Sequence, residues 1–475
     1  MVSIPRVVVA APASGHGKTT VATGLLAAFA ARGTRVAPFK IGPDYIDPGY
    51  HALAAGRPGR NLDAVLAGAD RVAPLFAHGA AGAQLAIVEG VMGLYDGRVG
   101  EGDFGSTAHV AGLLGAPVIL VVDATAQGRS VAAVVHGFRS FSTGVHIGGV
   151  ILNRVGSDRH ESLLREACEE VGAPVLGVLR RHDAVAAPSR HLGLIPAVER
   201  RAEASAAVDA LASLIASSVD LDEVYALASS AGALPVQAWS PTEAVRTAAG
   251  RAGGVGAAGA GDGPAAAAAG ARPVIAVAGG AAFSFGYAET TELLAAAGAD
   301  VVTVDPLHDE KLPEGTRGLV VGGGFPEVYA SQLSANASLR NEVSRLAFTG
   351  APIVAECAGL LWLARTLDGT PMCNVLDVEA AMTPSLTLGY RDAVALADSV
   401  ITPAGTRVSG HEFHRTMVSP RSGLLLAPRA DAAWAWRGAE PEGFVTENVH
   451  ASYLHLHWAG QPEIASRLVA AATAA

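Results

Sequence analysis

Short apolar runs alternate with longer stretches of helical spacing in the first half of the chain. Runs rich in β-branched residues lie at 6–12, 84–90, 116–125 and 147–155, and the apolar residues of 17–33 recur at helical intervals. Strands that are apolar at nearly every position are typical of parallel sheets buried on both faces. The pattern therefore predicts an α/β fold, with a parallel sheet covered by helices on both sides.

This pattern stops and then begins again. Residues 249–273 are almost wholly Ala and Gly, a composition that cannot build a packed core. Strand-like runs return after it, at 273–280, 299–306, 318–324 and 351–356. We therefore predict two α/β domains, at 1–235 and 273–475, joined by an Ala/Gly-rich flexible linker at 236–272.

The length, net charge and cysteine content of the chain exclude some classes of protein. A chain of 475 residues is long enough for two or three domains. Its net charge of −10 argues against nucleic acid or an anionic membrane surface as the main partner. Three cysteines, none in a CxxC pair, cannot form a disulfide framework. The first residues do not match a signal peptide, and no apolar run reaches about 18 residues, so we expect a cytoplasmic protein without a transmembrane helix.

The segment APASGHGKTT, residues 11–20, follows the first predicted strand and opens the first predicted helix. Glycine-rich turns at that position bind phosphate oxygens through backbone N–H groups. Lys18 would neutralise the β- and γ-phosphates and Thr19 would ligate Mg²⁺. The residues expected at the phosphates are Gly15, Gly17, Lys18, Thr19 and Thr20. Pro12 replaces the first glycine of the usual motif, but the context still favours a nucleotide site over a structural glycine turn.

Acidic residues follow two further predicted strands. The stretch FKIGPDYIDPGYH, residues 39–51, contains Asp44 and Asp47, whereas Glu89 ends a strand and Asp96 lies in the loop after it. The carboxyl ends of parallel strands meet at one edge of the sheet, where a nucleotide's metal would bind. We expect Glu89, Asp44 and Asp47 to act there. Turn capping is the alternative for each acid, and it stays open for Asp96.

A cysteine separates a strand pattern from a helix pattern in APIVAECAGLLWLA, residues 351–364. A sharp strand–turn–helix junction would place Cys357 beside the helix N-terminus, which we expect to lower its thiolate pKa. His455, in SYLHLHW, would supply a base, and the glycine turn at 320–327 would supply oxyanion N–H groups. Spacing alone leaves open that Cys357 is a small buried hydrophobe.

Five motifs of the chain together closely resemble those of one family, the cobyrinic acid and hydrogenobyrinic acid a,c-diamide synthases of cobalamin biosynthesis. The motifs are SGHGKTT, GPDYIDPGYH, VEGVMGLYDG, the glycine turn before ECAG, and SYLHLHW. That family joins a dethiobiotin-synthetase-like P-loop ATPase domain to a flavodoxin-like class I glutamine amidotransferase domain. The resemblance implies that ATP and Mg²⁺ serve to phosphorylate a corrin carboxylate. Glutamine is hydrolysed at the cysteine, and the ammonia attacks the acyl phosphate at the c and a acetates in turn.

The resemblance also implies residue roles. Cys357 would be the glutaminase nucleophile, His455 its base, and Asn153 a contact of the nucleotide base. The implied Mg²⁺ ligands are Thr19, Glu89 and Asp44. The implied loop facing the acid to be activated contains Lys40, Asp44, Tyr45, Asp47 and Asp96. The implied oxyanion groups are Gly323 and Gly324. His457 stands where many class I enzymes have Glu, which leaves the orientation of His455 unassigned.

Several alternatives stay open at this point. The substrate could be hydrogenobyrinic or cobyrinic acid, and the Ala-rich composition favours the former only by analogy. The same chemistry could act on another tetrapyrrole, as in cobyric acid synthases. A ParA/MinD-like switch ATPase with an inactive amidotransferase module is a third reading. The histidines of 410–416 are expected to contact corrinoid carboxylates or an internal network rather than a metal. The expected small-molecule partners are the corrinoid, L-glutamine and ATP; a homodimer is left open.

Overall fold

The computed structural model of the chain describes residues 1–181, 189–190, 193–253, 272–421 and 430–475. The chain divides into two compact units, Met1–Trp239 and Ser240–Ala475. The boundary falls a few residues beyond the predicted end of the first domain. No helix in the described ranges is long and apolar enough to cross a membrane.

The first unit alternates strands with helices. Its strands are β1 (Arg6–Ala10), β2 (Val36–Ile41), β3 (Arg60–Leu62), β4 (Leu85–Glu89), β5 (Val118–Asp123), β6 (Ile147–Val155), β7 (Val175–Arg180), β8 (Ser189–Arg190) and β9 (Gly193–Leu194). Its helices are α1 (Lys18–Ala31), α2 (Asp47–Ala55), α3 (Ala69–Gly79), α4 (Thr107–Leu113), α5 (Ser130–Phe141), α6 (Asp158–Glu170), α7 (Arg201–Ser218) and α8 (Leu221–Ser229), with one π-helical turn at Ala64–Gly68.

Seven strands form a fully parallel sheet in the order β3-β2-β4-β1-β5-β6-β7. All five residues of β1 and of β4 are buried, as the continuous apolar runs predicted. Helix α1 packs closely on α7 at Gly24, where a Cβ atom would overlap the side chain of Ile215. The predicted parallel sheet is therefore confirmed, and its carboxyl edge carries the P-loop, Lys40 and Glu89.

The second unit begins with a helix and then repeats the α/β alternation. Its helices are α9 (Pro241–Gly253), α10 (Ala288–Ala296), α11 (Ala330–Ala335), α12 (Ala337–Phe348), α13 (Ala358–Leu363) and α14 (Glu463–Ala474), with a 3₁₀ turn at Trp458–Gly460. Its strands are β10 (Val274–Ala278), β11 (Asp300–Val304), β12 (Thr316–Val321), β13 (Ile353–Glu356), β14 (Thr366–Leu367), β15 (Thr370–Pro371), β16 (Glu379–Ala395), β17 (Arg407–Ser419), β18 (Trp434–Ala435), β19 (Phe444–Val445) and β20 (Val449–Ser452).

The main sheet of this unit has the order β11-β10-β12-β13-β20-β19, and only its β19 edge is antiparallel. In chain order the five parallel strands follow the 2-1-3-4-5 arrangement of flavodoxin-like sheets, as predicted. A second sheet is built on the long antiparallel pair β16–β17. The sequence reading did not predict this hairpin, because its exposed positions interrupt the apolar runs.

The predicted linker differs from the structure in part. Residues Pro241–Gly253, which the reading assigned to the linker, form helix α9, and α9 packs against α10 and α14 of the second unit. The Ser240 hydroxyl accepts a hydrogen bond from the Glu243 N–H, in the manner of a helix N-cap. Residues 254–271, which contain most of the Ala/Gly run, lie outside the described residues.

Candidate functional sites

The first site is built on the turn between β1 and α1. Gly15 and Gly17 both have positive φ angles, 83° and 97°, which glycine adopts without strain. A Cβ atom on Gly17 would overlap the Asn153 amide, whereas the space beside Gly15 is open. Helix α1 begins at Lys18 with no side chain capping it, so its first N–H groups are free to meet an anion.

Lys18 crosses this turn and is buried. Its ammonium group donates to the carbonyl oxygens of Ala13, at 3.1 Å, and Met92. Burial, together with the charge of Lys40, lowers the pKa of Lys18 to about 8. A phosphate bound next to the Lys18 ammonium would raise this pKa again, because a nearby negative charge favours the charged form of lysine. Thr19 and Thr20 are half-buried in the first turn of α1.

Two carboxylates converge on the Lys40 ammonium at the sheet edge, and the Thr19 hydroxyl meets both of them. The Lys40 Nζ atom lies 2.6 Å from Asp47 Oδ2 and 2.8 Å from Glu89 Oε1. The Thr19 hydroxyl donates to the same Glu89 oxygen at 2.6 Å and lies 3.2 Å from Asp47 Oδ2. The strand register explains the meeting, because Lys40 on β2 is paired with Glu89 on β4.

The charged groups of this cluster shift the pKa values of their neighbours. Burial alone would raise the pKa of Glu89, but the Lys40 charge and the nearby His51, whose Nε2 is 2.7 Å away, hold that pKa below its usual range. Burial and the neighbouring Asp44 carboxylate raise the pKa of Asp47. The Lys40 ammonium thus lies among three carboxyl groups, those of Asp44, Asp47 and Glu89. This excess of acidic groups favours the binding of an additional cation.

The predicted metal ligand Asp44 is placed differently. Its Oδ1 atom accepts the N–H groups of Ile46 and Asp47 at 2.8 and 3.0 Å, so it caps the turn before α2. Its other oxygen is 3.8 Å from Lys40. Asp47, not Asp44, contacts Thr19, and the metal role predicted for Asp44 stays a prediction. Asp96 accepts the Gly93 N–H at 2.9 Å, which is the turn-capping alternative left open for it. Tyr45 is buried, and its substrate role stays a prediction.

Asn153 lies beside the phosphate turn. Its amide group donates to the His16 carbonyl at 2.9 Å, and its amide oxygen accepts the Arg154 N–H at 2.9 Å. His16 in turn accepts the Asp123 N–H at Nδ1. Both polar atoms of Asn153 are therefore engaged within the chain. They hold the phosphate turn in place, and the contact of Asn153 with a nucleotide base stays a prediction.

The second site is the junction between β13 and α13. Cys357 has φ 52° and ψ −101°, a region that side-chain-bearing residues seldom adopt. Its N–H donates to the Ser452 carbonyl at 2.7 Å, and its sulfur lies 3.7 Å from the Phe413 carbonyl. A strained backbone of this kind costs about 1–3 kcal/mol and is typical of a nucleophile elbow. The structure thus favours the nucleophile over the buried-hydrophobe reading.

The ionisation of Cys357 is opposite to the sequence expectation. Burial raises the pKa of its thiol, and the charge of Glu327 raises that pKa further, although the Ala358 N–H opposes the rise. Helix α13 has only six residues, so its N-terminus offsets little of the desolvation. Burial likewise lowers the pKa of His455 to about 3, assisted by His411 and His414. The pair is therefore a neutral thiol and a neutral imidazole.

The base predicted for Cys357 is held next to the glycine turn. Backbone hydrogen bonds of 2.9 and 3.0 Å join His455 to His411 on β17. A Cβ atom on Gly323 would overlap the imidazole at Cε1 and lie 3.3 Å from Nε2, so only glycine fits there. Since Glu356 is paired with Ser452 across the sheet, the segment containing His455 leaves β20 beside the elbow.

One of the two predicted oxyanion donors is occupied. The Gly323 N–H donates to the Phe285 carbonyl at 3.1 Å, so it is engaged within the chain, and its oxyanion role stays a prediction. Gly324 packs against the Ala282 carbonyl, and its oxyanion role stays a prediction. The Ala358 N–H, which points at the sulfur, is a further donor that the sequence reading did not assign.

A cavity of about 910 Å³ is lined by residues of β16 and β17 and by Tyr453, and the sequence did not predict it. Glu412 and His414 line it from β17, on either side of the Phe413 carbonyl that contacts the sulfur. Arg391 lines it too, and its Nε donates to Glu412 at 2.6 Å. Burial would raise the pKa of Glu412, but His414 and Arg391 hold it below the usual range. In the described ranges, no three His, Cys, Asp or Glu side chains are grouped as a metal site.

Known protein families match the two parts of the chain separately, one family model for each site. Residues 7–195 match the model of a CobQ/CobB/MinD/ParA nucleotide binding domain, and residues 274–463 match that of a CobB/CobQ-like glutamine amidotransferase domain. The chain is 60% identical to a protein of Streptomyces coelicolor named hydrogenobyrinate a,c-diamide synthase, over 98% of this chain and 97% of that protein. A Mycobacterium bovis protein of the same name is 52% identical, over 98% of each chain. A Gloeobacter violaceus protein named cobyrinate a,c-diamide synthase is 43% identical, over 98% of this chain and 96% of that one.

Proposed function

This chain belongs to the family of hydrogenobyrinate and cobyrinate a,c-diamide synthases, and on that premise we propose that it amidates the a and c acetate groups of hydrogenobyrinic acid. The enzyme class is a glutamine-hydrolysing amidating ligase with a nucleotide-binding domain. The observation that carries the proposal is the presence, in one chain, of a phosphate turn with an acidic cluster and of a strained cysteine elbow with its histidine.

The first site has the features needed to activate a carboxylate. ATP would place its phosphates on the Gly15–Lys18 turn, where Lys18 would offset their charge. Phosphoryl transfer to the corrinoid carboxylate releases ADP and forms an acyl phosphate. Such a transfer depends on positioning and on charge neutralisation more than on covalent help from the protein. Lys40 lies where it can offset charge on the incoming carboxylate.

A divalent metal fits this donor set. The Thr19 hydroxyl oxygen lies 2.6 Å from a Glu89 oxygen and 3.2 Å from an Asp47 oxygen. Hard oxygen ligands of this kind suit Mg²⁺. We assign these three residues to hold it, in place of the Asp44-containing set. When bound, Mg²⁺ would neutralise charge on the β- and γ-phosphates.

The second site would release ammonia from glutamine. His455 takes the thiol proton as the Cys357 sulfur attacks the side-chain amide carbon, and the proton then goes to the departing ammonia. The N–H groups of Gly324 and Ala358 would hold the oxyanion. Water then hydrolyses the thioester to glutamate. Because both groups are neutral at rest, the thiolate forms only as attack begins. The ammonia displaces phosphate from the acyl phosphate and leaves the amide.

The cavity lined by β16 and β17 suits the amino-acid end of glutamine. Arg391 can pair with the α-carboxylate, and the charged Glu412 can accept the α-ammonium group. Both side chains line the same cavity, and Glu412 is the neighbour of Phe413, whose carbonyl contacts the nucleophile. This placement would set the side-chain amide of glutamine toward the sulfur.

The cobalt-free substrate is favoured because the relatives named for hydrogenobyrinate are more similar to this chain than the one named for cobyrinate. The test is mass-resolved product analysis with ATP, Mg²⁺, glutamine and either corrinoid in separate reactions. We expect two amides on hydrogenobyrinic acid and slower addition to cobyrinic acid. A preference for cobyrinic acid would reverse the substrate assignment. ATP hydrolysis without amidation of either acid would favour another tetrapyrrole or the switch-ATPase reading.

A further inference from the structure

The amidotransferase site contains a carboxyl group that the mechanism above does not use. Glu356, the last residue of β13, precedes the nucleophile, and its Oε2 atom lies 3.9 Å from His455 Nδ1. Its side chain is 18% exposed and that of His455 is 1% exposed. The opposite edge of the imidazole, with Cε1 and Nε2, faces Gly323 in the glycine turn. The two ring nitrogens therefore face different groups.

We propose that Glu356 is the positioning residue that orients His455 for glutamine hydrolysis, an inference that rests on the proposed function. An ionised carboxylate facing Nδ1 favours the tautomer in which Nδ1 carries the proton, because a carboxylate can only accept a hydrogen bond. Nε2 is then left unprotonated and able to accept the thiol proton. This is the role that a third group has in hydrolytic triads generally. Glu356 would thus be the group that orients His455, which the sequence left unassigned. It lies directly before the nucleophile in the chain, not two residues after the histidine.

Glu356 is itself held in place by the segment that carries the base. Its carboxyl group accepts hydrogen bonds from the Leu456 N–H and from the Trp458 side chain. Both donors follow His455 within three residues, so the carboxyl group and the imidazole are fixed to the same stretch of chain. Burial raises the pKa of Glu356 to about 8. A positive charge forming on His455 beside it would favour the ionised carboxylate, which in turn stabilises that imidazolium.

A second pair in the same unit provides a matched control. Glu289 Oε2 lies 3.9 Å from His457 Nε2, and both side chains are as buried as His455. His457 stacks on Tyr287, with the ring centres 4.3 Å apart. This pair therefore has the same charge type and separation as the proposed one, with a more deeply buried carboxyl group, but Glu289 lies on α10 rather than next to the nucleophile.

The experiment compares Glu356→Gln, Glu356→Asp and Glu289→Gln in the full chain. For Glu356→Gln we expect kcat for glutamine hydrolysis to fall on the order of 100-fold, with KM changed less than threefold, because base catalysis is lost and binding is not. Amidation of the corrinoid from ammonium chloride should remain within about twofold of wild type. Glu356→Asp should recover part of kcat, since it restores the carboxylate. Glu289→Gln should keep glutaminase activity within about threefold.

Each other outcome counts against the inference. Normal glutaminase activity in Glu356→Gln, or an equal loss in Glu289→Gln, would show that the carboxylate beside His455 has no special role. Loss of ammonium-driven amidation in Glu356→Gln would also count against it, because a residue that only orients His455 should not affect the reaction that bypasses glutamine. If wild type amidates neither corrinoid from ammonium chloride, the proposed function fails instead, and the glutaminase assay still judges Glu356 on its own.

Discussion

The Lys40 ammonium lies inside the acidic cluster of the first unit, and replacing Lys40 with methionine gives the sharpest test of that cluster. Its side chain is 5% exposed and lies within 2.8 Å of both Asp47 and Glu89. Removing one member of a buried ion pair costs about 3–5 kcal/mol. Proton uptake by Asp47, whose pKa is already raised, should offset part of that loss. We therefore expect Lys40→Met to destabilise the first unit by about 3 kcal/mol.

The assay is calorimetric unfolding of the whole chain, with the first unit's transition identified by its shift on adding an ATP analogue. For a unit of this length, a loss of about 3 kcal/mol lowers Tm by roughly 6–12 °C. The loss should be larger at pH 8 than at pH 5, because a carboxyl group whose folded pKa exceeds its unfolded value destabilises the fold as pH rises. Mg²⁺ without nucleotide should raise Tm more in the variant than in wild type, since a metal cation replaces the missing ammonium.

Lys311→Met is the matched control, because Lys311 is exposed and should tolerate the change. A Lys40→Met protein that melts within about 2 °C of wild type without Mg²⁺ would refute the reasoning. The cluster would then not depend on its buried cation, and its role in holding a metal would lose support.

Three further predictions address other parts of the molecule. Because the pKa of free Lys18 is about 8, its charged fraction falls as pH rises, so ATP affinity should weaken about eightfold between pH 7.5 and 9 by isothermal titration, and Lys18→Arg should abolish that slope. Arg391→Ala should raise KM for glutamine roughly 10- to 100-fold and leave ammonium-driven amidation intact, and unchanged KM would contradict the proposed glutamine contact. Trp362→Ala should destabilise the second unit by about 3–5 kcal/mol in denaturant, since Trp362 is 1% exposed and packs on Phe283.

The sequence predicted the parts of the fold that have a local signature. Continuous apolar runs located the central strands, and the turn at 11–20 placed the phosphate site. The long β16–β17 hairpin was missed, because many of its residues are partly exposed and follow neither strict alternation nor a buried run. Helix α9 was missed because its Ala-rich sequence merges into the Ala/Gly run that follows it.

The candidate sites divide in the same way. Lys18, Thr19 and Cys357 follow from motifs, and the structure places each where the motif requires. Contacts between distant segments are a different matter, because no local pattern in the sequence records them. Asp44 and Asp47 are three residues apart, and only the fold decides which one faces Thr19. The thiol pKa likewise depends on burial, which a strand–turn–helix pattern does not measure.

The central claim is that two separate chemistries in one chain are joined by ammonia. The most direct measurement is corrinoid amidation by wild type, Cys357→Ala and Lys18→Ala, each supplied with ATP and Mg²⁺ and with either glutamine or ammonium chloride as nitrogen source. We predict that wild type adds two amides from either source, Cys357→Ala only from ammonium chloride, and Lys18→Ala from neither. Glutamine-driven amidation by Cys357→Ala, or no ammonium-driven amidation by any of the three proteins, would contradict the account.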